Sequence, residues 1–143
     1  MKKMRLFLVV LVTMLMSNVA MADGRIILPA QLPANAKAFV TTHFEGQKIV
    51  YAEKEWGIYE CHLNDGTQID FYKKGEWKKV DCNDFKAVPD VLIPEVIKQY
   101  VNENFPESII TKIEKERYGY DIELSNDLEL KFNKQGYILR MDD

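Results

Sequence analysis

Shifted by 61 residues without a gap, the chain overlays itself. Pro33, Lys37, Val40, Phe44, Glu53, Tyr59, Leu63, Phe71, Gly75 and Asp81 fall on Pro94, Lys98, Val101, Phe105, Glu114, Tyr120, Leu124, Phe132, Gly136 and Asp142. A tandem duplication constrains the fold more than any motif in this sequence, because each unit must solve the same packing problem. Positions on which the copies agree report architecture, and positions on which they differ are candidates for function.

Each copy opens with a proline and then an apolar stripe at helical spacing. The stripe is Leu32, Ala36, Phe39, Val40 and Phe44 in the first copy, and Ile93, Ile97, Tyr100, Val101 and Phe105 in the second. Pro33 and Pro94 suit a first helical turn, where a missing N–H costs nothing. Glu45-Gly46 and Pro106-Glu107 end the helices. The period then changes from 3.6 to 2, and four strands follow in each copy: 48–55, 59–63, 67–72 and 76–82, then 109–117, 120–124, 128–133 and 137–142. Asn64-Asp65-Gly66 and Ser125-Asn126-Asp127 are turn sequences that tolerate positive φ, as are Lys74-Gly75 and Gln135-Gly136.

The expected fold class is therefore α+β, a tandem repeat of two helix-plus-four-stranded antiparallel units. The first unit spans 23–82 and the second 93–143, with 83–92 as the linker. Tyr59, Cys61, Leu63, Ile69 and Phe71, with Tyr120, Ile122, Leu124, Leu130 and Phe132, are apolar in both copies and should face the helices. The alternate set should face water: Glu60, His62, Gln68, Asp70 and Tyr72, with Asp121, Glu123, Glu129, Lys131 and Asn133.

Lys2, Lys3 and Arg5, the apolar run 6–16 and Ala20-Met21-Ala22 have the order of a secretory signal peptide covering 1–22. An uncleaved anchor is the rival reading, but Thr13, Ser17 and Asn18 interrupt the apolar run. Cleavage removes three of 19 basic residues and none of 22 acidic ones, leaving 16 against 22 and a net charge of −6. That balance argues against nucleic acid and anionic membranes, which need clustered Lys and Arg. A soluble protein of the periplasm, or a secreted one, is expected, with no membrane insertion after cleavage.

Cys61 and Cys82 are the only cysteines. In an oxidising compartment a structural disulfide between them is the expectation. A redox pair or a metal site is the alternative, although the spacing is not Cys-x-x-Cys and His43 and His62 complete no zinc pattern. His62 alternates with Glu60 on the wet face, as a general base with an orienting carboxylate would, but only Thr67 is close enough in sequence to be a nucleophile. Asp81, Asn83 and Asp84, or Asp142 and Asp143, lack EF-hand spacing. No catalytic residue, metal or cofactor is expected.

The segments Val91-Leu92-Ile93-Pro94, Asn104-Phe105-Pro106, Gly119-Tyr120-Asp121-Ile122-Glu123-Leu124, Leu63-Asn64-Asp65-Gly66 and Gly75-Glu76-Trp77-Lys78-Lys79-Val80-Asp81-Cys82 resemble the PepSY-like periplasmic proteins of gut Bacteroidetes. That family is similar in fold to the secreted β-lactamase inhibitor protein. The resemblance implies two units with sheets side by side, and an open sheet face that grips a target enzyme. It carries no catalytic residues.

Differences between the copies therefore nominate the site. Tyr51, Trp56, Tyr72 and Trp77 stand where the second copy has Lys112, Arg117, Asn133 and Ile138. Tyr51, Tyr72 and His62 fall on the wet face, and Trp77 joins them if Cys82 points inward, because the two have opposite strand parity. Exposed aromatics anchor partners, so Tyr51, Trp56, His62, Tyr72 and Trp77 are the candidate surface for a protein of the cell envelope, such as a protease or other enzyme. Two other readings stand beside it: both tryptophans merely cap the sheet or seal the seam, or a small molecule or peptide binds between the units.

Overall fold

The computed structural model describes residues 24–143; the expected signal peptide lies outside the described residues. The elements are β1 (Arg25–Ile27), α1 (Ala34–His43), β2 (Ile49–Glu55), β3 (Ile58–Leu63), β4 (Gln68–Tyr72), β5 (Trp77–Asp81), α2 (Glu95–Asn104), β6 (Ile110–Lys115), β7 (Gly119–Leu124), β8 (Glu129–Asn133) and β9 (Ile138–Asp142). The nine strands form one antiparallel sheet in chain order. β5 pairs with β6, so the sheets of the two units become one. β1, which sequence reasoning did not anticipate, extends the opposite end by pairing with β2.

Cross-strand register arranges the sheet into rows. Ile27, Ala52, Cys61, Ile69, Val80, Ile113, Ile122, Leu130 and Met141 lie side by side, and all but Met141 are buried beneath the helices. Ala36 and Val40 of α1, and Ile97 and Val101 of α2, close over this face. Each fully buried aliphatic or aromatic side chain contributes about 1.5 to 3 kcal/mol, and these dominate the stability. The expected inward set is buried, with Tyr59 and Tyr120 partly so.

On the opposite face two rows flank this one. The first is Ile26, Glu53, Glu60, Asp70, Lys79, Glu114, Asp121, Lys131 and Arg140. The second is Tyr51, His62, Gln68, Asp81, Lys112, Glu123, Glu129 and Asp142. Among the described residues no helix covers this face.

Two expectations fail, both for reasons of register. Cys61 and Cys82 are free and buried. Cys61 stands opposite Ile69 and Ile69 opposite Val80, so β4 separates the two cysteine strands, and Cys82 lies two residues beyond Val80. Two strand spacings are about 10 Å, whereas a disulfide needs Cα atoms within about 7 Å. Both side chains face inward as expected; the intervening strand keeps them apart.

Trp77 does not join the open face. The register of β4 and β5 runs from Asp70 opposite Lys79 to Phe71 opposite Trp77, so Lys78 is a bulge residue. One extra residue reverses strand parity. The indole packs beneath the sheet with Phe39 of α1 at 6.4 Å, and the Lys115 ammonium of β6 lies 3.9 Å from its ring centre. Trp77 seals the seam between units, the structural role anticipated as its alternative. The second copy repeats this bulge at Leu139, so it belongs to the fold rather than to one copy.

Burial pushes the Cys61 thiol up to about 12 and the Cys82 thiol up to about 11. Thiol titration without reductant should therefore find little reaction at pH 8 in the native protein and two thiols in denaturant; none in denaturant would mean a bridge. Trp77→Ala should lower the free energy of unfolding by roughly 2 kcal/mol, below the 3 to 5 of a fully buried ring, while Trp56→Ala stays within about 0.5 kcal/mol, as urea denaturation would measure.

Candidate functional site: the acidic end of the open face

The β2–β3 hairpin fixes the geometry of the site. Trp56 and Gly57 both take positive φ, 49° and 78°, as a two-residue turn of the type favoured between twisted strands demands. Gly57 does so freely. Trp56 does so against the preference of a bulky L residue, and its ring is 91% exposed. The second copy makes the corresponding turn with Arg117 and Tyr118 and reserves its positive φ for Gly119.

Beside this tip a shallow recess of about 240 Å³ is lined by Glu53, Glu55, Trp56, Ile58, Glu60 and Asp70. Glu53, Glu60 and Asp70 are direct cross-strand neighbours. Like charges placed opposite one another are destabilising, and among the described residues only Lys79, with Nζ 3.3 Å from Asp70, offers an ammonium to these three carboxylates. Charge on both rows of the face is unequal, with nine carboxylates against four Lys and Arg side chains.

The equivalent positions of the second copy are Glu114, Asp121 and Lys131. Lys131 replaces Asp70 and neutralises the row, with Nζ 3.3 Å from Asp121 and 3.3 Å from the Tyr118 hydroxyl. The Tyr118 hydroxyl, and after it Asp121, hold the Lys131 ammonium above its usual range. Lys78 bonds Glu114 at 2.8 Å. One charge difference at a matched position thus leaves this row acidic in the first copy, with Lys79 as its one base, and balanced in the second, where Lys131 and Arg140 meet Glu114 and Asp121.

Register brings Tyr51 and His62 together. Their rings meet edge to face at 5.3 Å. The Tyr51 hydroxyl donates to Glu53, which is the main reason its pKa is pushed up to about 12, and His62 Nε2 lies 2.7 Å from Glu60 Oε1. Tyr72 is on the open face opposite Ile58. The five nominated residues do not form one cluster. Tyr51 and His62 sit towards one end of β2 and β3, Trp56 and Tyr72 sit at the other, and Trp77 is beneath the sheet. Thr67 stands opposite Leu63 on the buried side and is 1% exposed, so the sheet separates its hydroxyl from His62. The acidic residues at the recess were missed as site residues. Their signal was present as the alternation of Glu53 with Glu55, together with the exchange of Asp70 for Lys131.

A second acidic group, Asp84, Glu123 and Asp127, holds carboxylate oxygens within 4.8 Å of one another. Lys112 is the closest ammonium to Glu123, at 3.9 Å. Burial, and then Asp81, Asp84 and Glu129, raise the Glu123 pKa against the pull of Lys112.

The family model described as "Putative beta-lactamase-inhibitor-like, PepSY-like" matches residues 57–140. Among curated proteins none matches. A crystal structure from Bacteroides thetaiotaomicron, described as a "putative calcium-regulated periplasmic protein", is 34% identical, with a TM-score of 0.78 over 85% of this chain and 98% of its own. Two structures from Bacteroides vulgatus, each described as a "putative periplasmic protein", are similar at 32% and 35% identity. Their TM-scores are 0.78 and 0.77, over 84% and 86% of this chain and 99% of each of theirs. Fold and sequence agree, and the chain belongs to the PepSY-like family.

Proposed function

We propose that this is a non-enzymatic binding module of the periplasm whose open sheet face, at the end formed by β2, β3 and β4, holds a basic surface of a protein partner. One observation carries the reading: Glu53, Glu60 and Asp70 lie as a row of cross-strand carboxylate neighbours, beside an exposed Trp56 held at positive φ. A lysine or arginine of a partner would offset the repulsion of the row and could lie against the indole, a cation over an aromatic face. Tyr72 would flank it, and Tyr51 and His62 would extend the contact along the strands. Periplasmic residence is supported by the signal-like residues 1–22 and by relatives described as periplasmic. In this reading 23–82 is the recognising unit and 93–143 its repeat, joined through 83–92. A ligand lodged between the units is less well supported, since β5 and β6 join the two sheets by continuous backbone pairing.

Capture from a periplasmic extract should recover basic proteins that elute with salt. Glu60→Lys with Asp70→Lys should weaken capture by roughly tenfold, about 1.4 kcal/mol. Unchanged capture by that variant would overturn the assignment of the face. Trp56→Asn should separate stability from binding. Asn suits the first position of this turn, so urea denaturation should show a gain of about 1 kcal/mol, while capture falls.

Cation binding is a second reading, supported by Asp84, Glu123 and Asp127 and by the relative described as calcium-regulated. Carboxylate oxygens without nitrogen or sulfur donors are the chemistry a hard cation takes. Calcium should then raise the melting temperature, and Glu123→Gln or Asp127→Asn should abolish the rise. A melting temperature indifferent to calcium and chelator would dismiss this reading.

A further inference from the structure

Strand β9 ends the sheet with an unpaired edge among the described residues. Its equivalent in the first unit, β5, does not, and the β5–β6 junction shows what such an edge accepts. Lys79 pairs with Glu114, Val80 with Ile113 and Asp81 with Lys112. Both strands read base, apolar, acid, and antiparallel pairing sets base against acid at each side of an apolar centre. β9 carries the same triplet a third time, as Arg140-Met141-Asp142.

Its backbone is turned the right way. Cys82 N–H donates to Thr111 O at 2.9 Å, and alternate residues of a strand direct their N–H to the same side. Val80 therefore faces β6, and Met141, 61 residues later in the same register, presents its N–H and C=O to the open edge.

Its charges are wrong for β8 and right for another β9. Within the sheet Arg140 stands opposite Lys131 and Asp142 opposite Glu129, like against like. The matched positions of the first unit pair Lys79 with Asp70 and Asp81 with Gln68. The buried apolar row also stops unfinished here, at a Met141 that is 47% exposed. We propose that β9 pairs antiparallel with β9 of a second copy about a two-fold axis at Met141. This sets Arg140 of each copy against Asp142 of the other, and Met141 against Met141. A C2 contact of this kind is closed and self-complementary, and it removes an exposed strand edge.

Sedimentation velocity over a concentration series should show a monomer–dimer equilibrium for the purified protein. Arg140→Asp alone and Asp142→Arg alone should each be monomeric, since either places like charges at both cross-pairs. Mixed in equal amounts, the two variants should form a heterodimer, visible by mass in native mass spectrometry, because one edge is then all acid and the other all base. The double exchange R140D/D142R should dimerise as the parent does. Both substitutions improve the match to β8, so loss of folding is not the expected cause of a monomer; circular dichroism checks this. A parent that stays monomeric, single variants that dimerise alone, a mixture that fails to associate, or oligomers that grow beyond dimers would each overturn the proposal.

Discussion

Three residue pairs between β5 and β6 hold this molecule in its shape. Lys79 with Glu114, Val80 with Ile113 and Asp81 with Lys112 convert two four-stranded meanders into one sheet. Half-sized units are marginal when alone, because small domains bury too little of their surface. Joined edge to edge they share an uninterrupted buried row from Ile27 to Leu130. The two helices then take one face between them. The other face needs no apolar cover, because its side chains alternate with the buried row and are charged along most of its length. An open face is thus a consequence of how the duplication was joined.

Much of this was legible in the sequence because duplication supplies its own control. Both helices, eight of the nine strands and the inward set followed from positions that agree in the two copies. The remainder failed where the argument depended on strict alternation or on distance across strands. Lys78 and Leu139 each add a residue to a strand, and neither differs in polarity from an ordinary strand position. A bulge is therefore silent in a hydrophobic pattern, although it decided which way Trp77 points. The cysteines failed for a related reason. Sequence allowed Cys61 and Cys82 to share a face, but did not show that a whole strand lies between them. β1 was missed because three residues are too short for periodicity to register.

The candidate site was half legible. Comparison of the copies singled out Trp56, and alternation set Tyr51, His62 and Tyr72 on the wet face, but only the strand register brings Tyr51 against His62. Aromatics drew the attention, whereas the electrostatically unusual feature is the row of carboxylates that register assembles from β2, β3 and β4. Glu53, Glu60 and Asp70 are ordinary residues at ordinary wet positions when read along the chain. They form a row only across it, which is information that the strand pairing holds and a single strand does not.

The strained turn and the third carboxylate are informative here because the matched positions of the second copy, Arg117 and Lys131, have neither. At the tip of β6 and β7, Gly119 takes the positive φ, and a Cβ there would sit 2.1 Å from the Phe132 carbonyl oxygen, so glycine is the residue that position admits. In the row beside it, Lys131 cancels the acids. The first copy instead puts positive φ on Trp56 and Gly57, within the turn itself, and a third carboxylate, Asp70, where the second has Lys131. Both choices are absent at the matched positions of the second copy, and they lie at one recess. Random drift would scatter such departures over the unit. Two of them converging on one acidic, aromatic end of an uncovered face is the pattern expected when a partner, rather than the fold, determines the residues.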